Sequence, residues 1–453
     1  MKTKHYDVFI IGSGIAGQTA AEVCAKEGLS VAIADKREYG GTCSIRGCDP
    51  KKLLMQFADI SQTTRQLKDS GIKKVPKIKW KSVQKFKSSF TKPVPKETEK
   101  DLAKKGIDLY HKSPKFISNN EVLVEDKKIT ADKFVIATGY ISRPLKLMGF
   151  NYLLNSDDIL NLKKIPKSAI FIGSGYVGME FCYMLSSMGC KVTMIEMGDR
   201  ILSQFDPFLV EKLTDELKSR GVKFIFNAEP ILVEKLNKNL RVSYKRNDKT
   251  KTKKARIIVN SAGRVPAIEK LDLEKANVDF DDSGILVNDF MNSTSNDKVY
   301  ACGDVSSKSL PLTPLSGLQG YIAGHNIAKG NKKEFQDPLV PSIVFTHPQL
   351  AMVGYSEEEA KSRYKNVKIY KGDASGWYNA EKEKAKTYAY KIVVNERTQK
   401  IVGAHLLSSQ ANETINIFAM AINNDMTVDE FKRMIFTYPS YSNDFKSMMK
   451  DED

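Results

Sequence analysis

The stretch "YDVFIIGSGIAGQTAAEVCAKEGLSVAIADK", Tyr6–Lys36, decides the fold. Its apolar residues Val8–Ile11 read as a buried strand. Gly12-x-Gly14-x-x-Gly17 follows, then a helix from Gln18 to about Lys26, then a second strand, Ser30–Ala34, ending in Asp35. The first glycine permits a tight turn, the second lets backbone approach a pyrophosphate, and the third lets helix and strand pack closely. The helix N-terminus then faces phosphate charge, and Asp35 is placed to accept hydrogen bonds from a ribose diol. Strand, glycines, helix, second strand and acid together make a strong dinucleotide signature, where glycines alone would be weak.

The pattern returns in "SAIFIGSGYVGMEFCYMLSSMGCKVTMIEMG", Ser168–Gly198. Gly173-x-Gly175-x-x-Gly178 follows a strand, and Glu196 ends the next one. Two such units imply two nucleotides. A carboxylate at Glu196 suits the bare ribose of NADH and repels the 2′-phosphate of NADPH. Arg200 lies close enough in sequence to keep NADPH open.

Between the loops lies "GGTCSIRGCDPKK", Gly40–Lys52, with Cys43 and Cys48 separated by four residues. Asp49 can cap a helix and Pro50 suits a first turn, so a helix is expected over Lys51–Ile60. Cys48 then sits at a helix N-terminus beside Lys51 and Lys52, and both effects favour a thiolate. The plainer readings are a structural staple or two buried thiols. A zinc site needs further ligands, and no second Cys or His pair has the spacing, so no metal is expected. The other cysteines, Cys24, Cys182, Cys190 and Cys302, read as small buried hydrophobes.

Composition bounds the rest. The chain has 453 residues, enough for about three domains. No apolar run is long enough for a bilayer span, and the N-terminal run leads into a glycine loop rather than a signal-peptide cleavage site. No membrane association and a cytoplasmic location are expected. The net charge is +17, which raises nucleic acid. The lysines are spread among acids, however, and the densest stretch, Lys73–Lys105, reads as a solvated helical excursion, so no nucleic-acid partner is expected. Six cysteines in so long a chain are no disulfide scaffold, and a disulfide in a reducing compartment is usually catalytic.

At this point the sequence resembles the class I pyridine nucleotide-disulfide oxidoreductases, the flavoproteins that include glutathione reductase, dihydrolipoamide dehydrogenase and mercuric reductase. The likeness runs over nearly the whole chain. "GGTCSIRGCDPKK" resembles the active-site signature. "VIATGYISRP" (Val135–Pro144) resembles the exit strand of the flavin domain, "SAGRVP" (Ser261–Pro266) the close of the NAD domain, and "VYACGDV" (Val299–Val305) the second flavin motif. "PSIVFTHPQLAMVGYSEEEA" (Pro341–Ala360) resembles the opening of the dimerisation domain. The resemblance implies FAD on the first loop, with Gly12, Gly14, Gly17, Asp35, Gly41, Thr42, Lys51, Thr138, Gly139, Asp304 and Thr313 around it. It implies NADH or NADPH on the second, with Gly173, Gly175, Tyr176, Gly178, Glu196 and Gly263. Cys48 would be the thiol against the flavin and Cys43 the interchange thiol. Lys51 would pair with Glu180, Tyr176 would gate the nicotinamide pocket, and Asp304 would bind the flavin's ribityl chain.

One segment departs from the pattern. The family ends with a His-Pro and a glutamate that orients the histidine, reaching the site from the other subunit. Here "IFTYPSYSNDF", Ile435–Phe445, puts Tyr438 and Asn443 at those places. None of the five histidines restores the motif. His347-Pro348 falls in a segment expected to form a core strand; His5, His111, His325 and His405 read as structural or surface. Tyrosine titrates near 10, against about 6.5 for histidine, so Tyr438 is either an acid for a basic leaving group or a pocket wall, with Tyr441 a second candidate wall. A C-terminal cysteine pair, of the kind mercuric reductases and large thioredoxin reductases carry, is absent from "KSMMKDED", which turns the expectation away from both.

The fold expected is α/β: two Rossmann-like dinucleotide-binding domains plus a C-terminal α+β dimerisation domain. The FAD domain is placed at 1–148 and 267–330, with its helical excursion at 51–106, the NAD(P) domain at 149–266 and the interface domain at 331–453. The function expected is an FAD-dependent, NADH-preferring reductase of a small-molecule or small-protein disulfide, working as a homodimer, with Cys43, Cys48, Lys51, Glu180 and Tyr438 catalytic. The rival reading is an NADH-dependent flavin reductase or oxidase acting on a quinone, oxygen or a small electrophile, with the cysteines as an electron relay.

Overall fold

The computed structural model describes residues 3–450, so the outermost residues of the expected first and last domains lie outside it. The chain forms two compact units: residues 1–53, 84–144 and 263–337 in the first, and 54–83, 145–262 and 338–453 in the second.

The first unit is built on a seven-stranded sheet. Strand Lys4–Ile11 is central, pairing in parallel with Val31–Ala34 on one side and Lys127–Ile136 on the other. Asp108–Tyr110 extends the sheet beyond Val31–Ala34, and Val299–Ala301 pairs in parallel with Phe134–Ile136. Two short antiparallel strands, Lys115–Ser118 and Glu121–Val124, finish the edge. A strand covered on both faces has no polar side, which is why "VFII" and "VAIA" read as continuous apolar runs; Val8–Ile11 and Val31–Ala34 are all buried. The first helix spans Ile15–Lys26 rather than beginning at Gln18, because Gly14 is already its N-cap. Small residues let it meet helix Thr313–Lys329 backbone to backbone: a Cβ on Gly320 would lie 2.3 Å from the Ala16 carbonyl oxygen.

The second unit carries a four-stranded parallel sheet, in the order Lys223–Ile225, Lys191–Ile195, Ser168–Ile172, Ile257–Asn260. Helix Tyr176–Ser187 follows Ser168–Ile172. A three-stranded antiparallel sheet of Glu229–Leu236, Asn239–Arg246 and Lys249–Ala255 is added in the same unit. The C-terminal part is a five-stranded antiparallel sheet, Ser342–Val344, Gln349–Gly354, Ile401–Ser408, Ala389–Asn395, Val367–Asp373, with helix Ala411–Asn423 burying Ile415 and Phe418. The unit's core takes in residues from the expected helical excursion: Leu54, Met55, Ala58, Trp80 and Val83 pack in one cluster with Phe171, Met179 and Leu185, and Trp80 Nε1 donates to the Leu162 carbonyl at 2.7 Å.

A buried ion cluster joins distant stretches of this second unit. Lys391, 5% exposed, reaches Asp206 at 2.6 Å and Glu357 at 3.0 Å. Asp206 caps helix Pro207–Ser219 by accepting from the Leu209 amide, and Glu357 lies in the first turn of helix Glu357–Arg363. Lys391 sits opposite the buried His405 across the sheet. No pattern in the sequence announced this cluster.

Among the described residues no helix is long and apolar enough to cross a membrane, and no group of three or more His, Cys, Asp or Glu is placed to hold a metal ion.

Candidate active site

Around the two thiols the chain forms two helices with a break. Gly41–Arg46 is one, and Cys48–Gln66 begins immediately beyond Gly47. Gly47 adopts φ −133°, ψ −111°, and a Cβ there would meet the Thr42 carbonyl oxygen at 2.8 Å. Cys48 is thus the first residue of its helix, and Asp49 lies in the first turn rather than capping it. A thiolate at a helix N-terminus is favoured by the free amides and the dipole.

Both sulfurs are free thiols; Cys43 is half-buried and Cys48 exposed. Thr313, the first residue of helix Thr313–Lys329, lies at both of them. Its Oγ1 donates to Cys43 Sγ at 3.2 Å and is 3.7 Å from Cys48 Sγ. The two thiols titrate apart. The hydrogen bond from Cys43 holds the Cys48 thiol down at about 6, helped by Thr313, Lys51 and Lys52 against desolvation. The same bond, with burial, pushes Cys43 well up. In the reduced form Cys48 is therefore the favoured thiolate, and Cys43 keeps its proton and donates it in a hydrogen bond to Cys48.

The glycine loop above them is built to leave one face open. A Cβ on Gly12 would lie 2.3 Å from the Ala137 carbonyl oxygen, and one on Gly17 1.9 Å from that of Gly12. On Gly14 it would meet only Gly41 Cα, at 4.0 Å. Asp35 closes the loop: its Oδ2 accepts from the Ser13 amide at 2.8 Å and the Ser13 hydroxyl at 2.7 Å. Thr138 Oγ1 is buried with no hydrogen-bond partner among the described residues, a polar atom that a flavin dinucleotide can satisfy. Asp304 is held by Arg264 at 3.6 Å and by the Ser316 hydroxyl at 3.3 Å, and burial raises its carboxyl. Gly139 accepts from the Ala267 amide at 2.9 Å, and Gly263 from that of Arg143 at 3.0 Å. Thr42 is exposed on the short helix. These residues fit FAD.

The second unit repeats the loop. Gly173 and Gly178 are walled in by Ser261 and Ala262, whereas a Cβ on Gly175 meets nothing within 4 Å. Glu196 Oε2 accepts from the Ser174 amide at 2.8 Å and its hydroxyl at 2.6 Å, the same latch as in the first unit. Arg200 is turned to the Ser203 carbonyl at 3.1 Å. Tyr176 opens helix Tyr176–Ser187. Glu180, one turn on and 2% exposed, accepts from the Phe345 amide at 3.0 Å. Gly263, expected at this loop, falls in the first unit. Lys51, nearly buried, is in the first unit and Glu180 in the second.

The C-terminal segment corrects one expectation. Tyr441 is no pocket wall: it is 6% exposed, its hydroxyl donates to Glu383 at 2.9 Å and accepts from Ser409 at 2.9 Å. Tyr438, by contrast, is 73% exposed, and the neighbouring Ile435 94%. His347 lies in the turn between strands Ser342–Val344 and Gln349–Gly354, not in a strand. It stacks on Tyr183, its Nε2 meets Gln66 Oε1 at 3.2 Å, and burial lowers it to about 4, so it is neutral near pH 7.

Two open-faced dinucleotide loops and a polarised thiol pair define a nucleotide-dependent redox flavoprotein. The comparisons give the family. Residues 6–320 match the pyridine nucleotide-disulphide oxidoreductase family and residues 340–449 its dimerisation domain, and the chain belongs to that family. It is 32% identical to a glutathione reductase from Nostoc sp., over 98% of this chain and all of that one. It is 31% identical to a dihydrolipoyl dehydrogenase from Corynebacterium glutamicum, over 97% and 96%, and 29% identical to a mercuric reductase from Staphylococcus aureus, over 94% and 78%. Among solved structures it resembles the Cu(II) complex of the HOCl-induced flavoprotein disulfide reductase RclA from Escherichia coli. The TM-score is 0.86 and the identity 26%, over 97% of this chain and 98% of that one. The protein is a flavin-dependent pyridine nucleotide-disulfide oxidoreductase, and its dimerisation domain supports a homodimer.

Proposed function

We propose that the chain is an NADH-preferring disulfide reductase in which the Cys43–Cys48 disulfide passes electrons to a small-molecule or small-protein disulfide. The observation that carries this reading is the thiol pair itself, with Thr313 Oγ1 at both sulfurs and Cys48 at the start of its helix beside Lys51 and Lys52. FAD, when bound, supplies the chemistry that takes a hydride from a nicotinamide and delivers two electrons to a disulfide. The residues supporting it are Gly12, Gly14, Gly17, Asp35, Gly41, Thr42, Lys51, Thr138, Gly139, Asp304 and Thr313. For the nicotinamide dinucleotide they are Gly173, Gly175, Tyr176, Gly178, Glu196 and Gly263, in a division into FAD, NAD(P) and interface domains bounded near 148, 266 and 330. Glu196 favours NADH over NADPH by charge. Lys51 and Glu180 are each proposed to serve catalysis. Tyr438 is offered to the other subunit, and the enzyme works in the cytoplasm. Cys43 gives up its proton and attacks the substrate; Cys48 resolves the mixed disulfide.

The test is an anaerobic titration with NADH and separately NADPH, following the flavin spectrum. A long-wavelength charge-transfer band after two electrons, and loss of disulfide turnover in Cys43→Ser, are the expected results. Direct bleaching without the band, with full activity in Cys43→Ser toward quinones or oxygen, would replace this reading by the flavin reductase one.

A further inference from the structure

Proton handling at the interchange sulfur has no histidine at position 438, and Tyr438 is exposed on its own chain. What does touch the sulfur is Thr313. Its single hydroxyl hydrogen is directed to Cys43, at 3.2 Å, although Cys48 is also within reach at 3.7 Å. A hydroxyl donor to sulfur stabilises the charged form over the neutral one. The other groups acting on the pair are Asp49, which opposes charge on Cys43, and Lys51 and Lys52, which favour it on Cys48. Thr313 is thus the neutral donor within reach of both sulfurs, lowering each, and it stands closer to Cys43.

We propose that the Thr313 hydroxyl is the catalytic donor that holds the Cys43 sulfur as a thiolate during exchange, so that its proton is kept inside the Cys43–Cys48 pair. The inference rests on the disulfide reductase reading. In the step, the Cys43 proton passes to Cys48 Sγ, and the Cys43 thiolate, bonded by Thr313, attacks the substrate disulfide. The Cys43–substrate S–S bond forms, the substrate's own breaks, and one thiolate leaves. That thiolate takes the proton from Cys48, whose sulfur then attacks Cys43 and expels the second thiolate. One substrate disulfide has become one thiol and one thiolate, and the protein dithiol with its single proton has become the disulfide. The proton count closes without an outside base.

The experiment alkylates the thiols of the reduced holoenzyme with iodoacetamide across pH and follows modification at Cys43 by peptide mass. It uses Thr313→Val and Thr313→Ser, each also in a Cys48→Ser background where Cys43 titrates alone. Valine keeps the shape and removes the hydroxyl; serine keeps the donor. The expected result is a Cys43 midpoint about one pH unit higher in Thr313→Val than in Thr313→Ser, with about tenfold slower alkylation near neutrality. The kcat for disulfide reduction falls in parallel and is restored by serine. Equal alkylation profiles for valine and serine overturn the proposal, whether or not the NADH titration shows the thiols as electron acceptors, because alkylation does not pass through the nicotinamide. Should Thr313→Val fail to retain flavin, Thr313→Ala in the Cys48→Ser background decides in its place: a Cys43 midpoint no higher than that of Cys48→Ser alone overturns the proposal.

Discussion

Cys48 is the residue whose charge the site has altered most usefully. Its thiol falls from an ordinary 9.0 to about 6. Between those values the folded chain has lost a proton that the unfolded chain keeps. This group's contribution to stability is therefore complete above about 9 and fades as pH falls through about 6. Thiolate ultraviolet absorbance of the reduced protein should titrate with a midpoint near 6 and vanish in Cys48→Ser. Since the first cause is the bond from Cys43, Cys43→Ala should move the midpoint upward; an unchanged midpoint would assign the shift to the lysines and helix instead. The glycines, Asp35, Glu196 and both thiols were legible because each belongs to a short local pattern. Thr313 at the sulfurs was not, since it lies 265 and 270 positions away from them, and only the packing of helix Thr313–Lys329 brings it there. Tyr441 was misread for a related reason: its burial depends on Asn379, Glu383 and Ser409, none near it in sequence.

At the scale of elements, each dinucleotide loop divides its glycines between two jobs. Gly17 serves packing, and Gly17→Ala drives a methyl into the Gly12 carbonyl, which should cost about 1–3 kcal/mol of stability and reduce flavin content. Gly175 faces open space at φ −69°. Gly175→Ala should keep the melting temperature of the parent yet raise the KM for NADH about tenfold or more, equivalent to about 1.4 kcal/mol of lost binding. Steady-state kinetics beside a melting curve separates the two; a destabilised Gly175→Ala with normal KM would reverse the assignment. Periodicity also revealed the alternating strands near the C-terminus. It did not reveal the sheet of Glu229–Leu236, Asn239–Arg246 and Lys249–Ala255, whose last strand reads "KTKTKKA". Lysines mask its pattern, yet lysine is what an exposed edge strand carries to resist pairing with another chain.

Over the whole molecule, the sequence announced the dinucleotide folds but not how the chain distributes itself between two compact units. Residues 54–83 belong with the second because Leu54, Met55, Trp80 and Val83 complete its core, and a helix that is amphipathic in sequence does not say whose core it joins. The Lys391 cluster binds the second unit together in the same non-local way. Lys391→Met leaves Asp206 buried without its cation and should cost about 3–5 kcal/mol, seen in urea unfolding. The double variant Lys391→Met with Asp206→Asn should recover much of that loss. A single variant as stable as the parent would show the cluster to be dispensable.

The Ser13–Asp35 and Ser174–Glu196 latches bear on redesign. Each acid expected to read a sugar already holds its own loop closed with three atoms of a serine and a following amide: Arg37 in the first case, Gly198 in the second. The expected sugar contact and the loop architecture thus fall on one side chain. An engineer who exchanges Glu196 to admit a 2′-phosphate removes a hinge pin together with a charge, and the natural room for such a change lies downstream, from Met197 to Arg200.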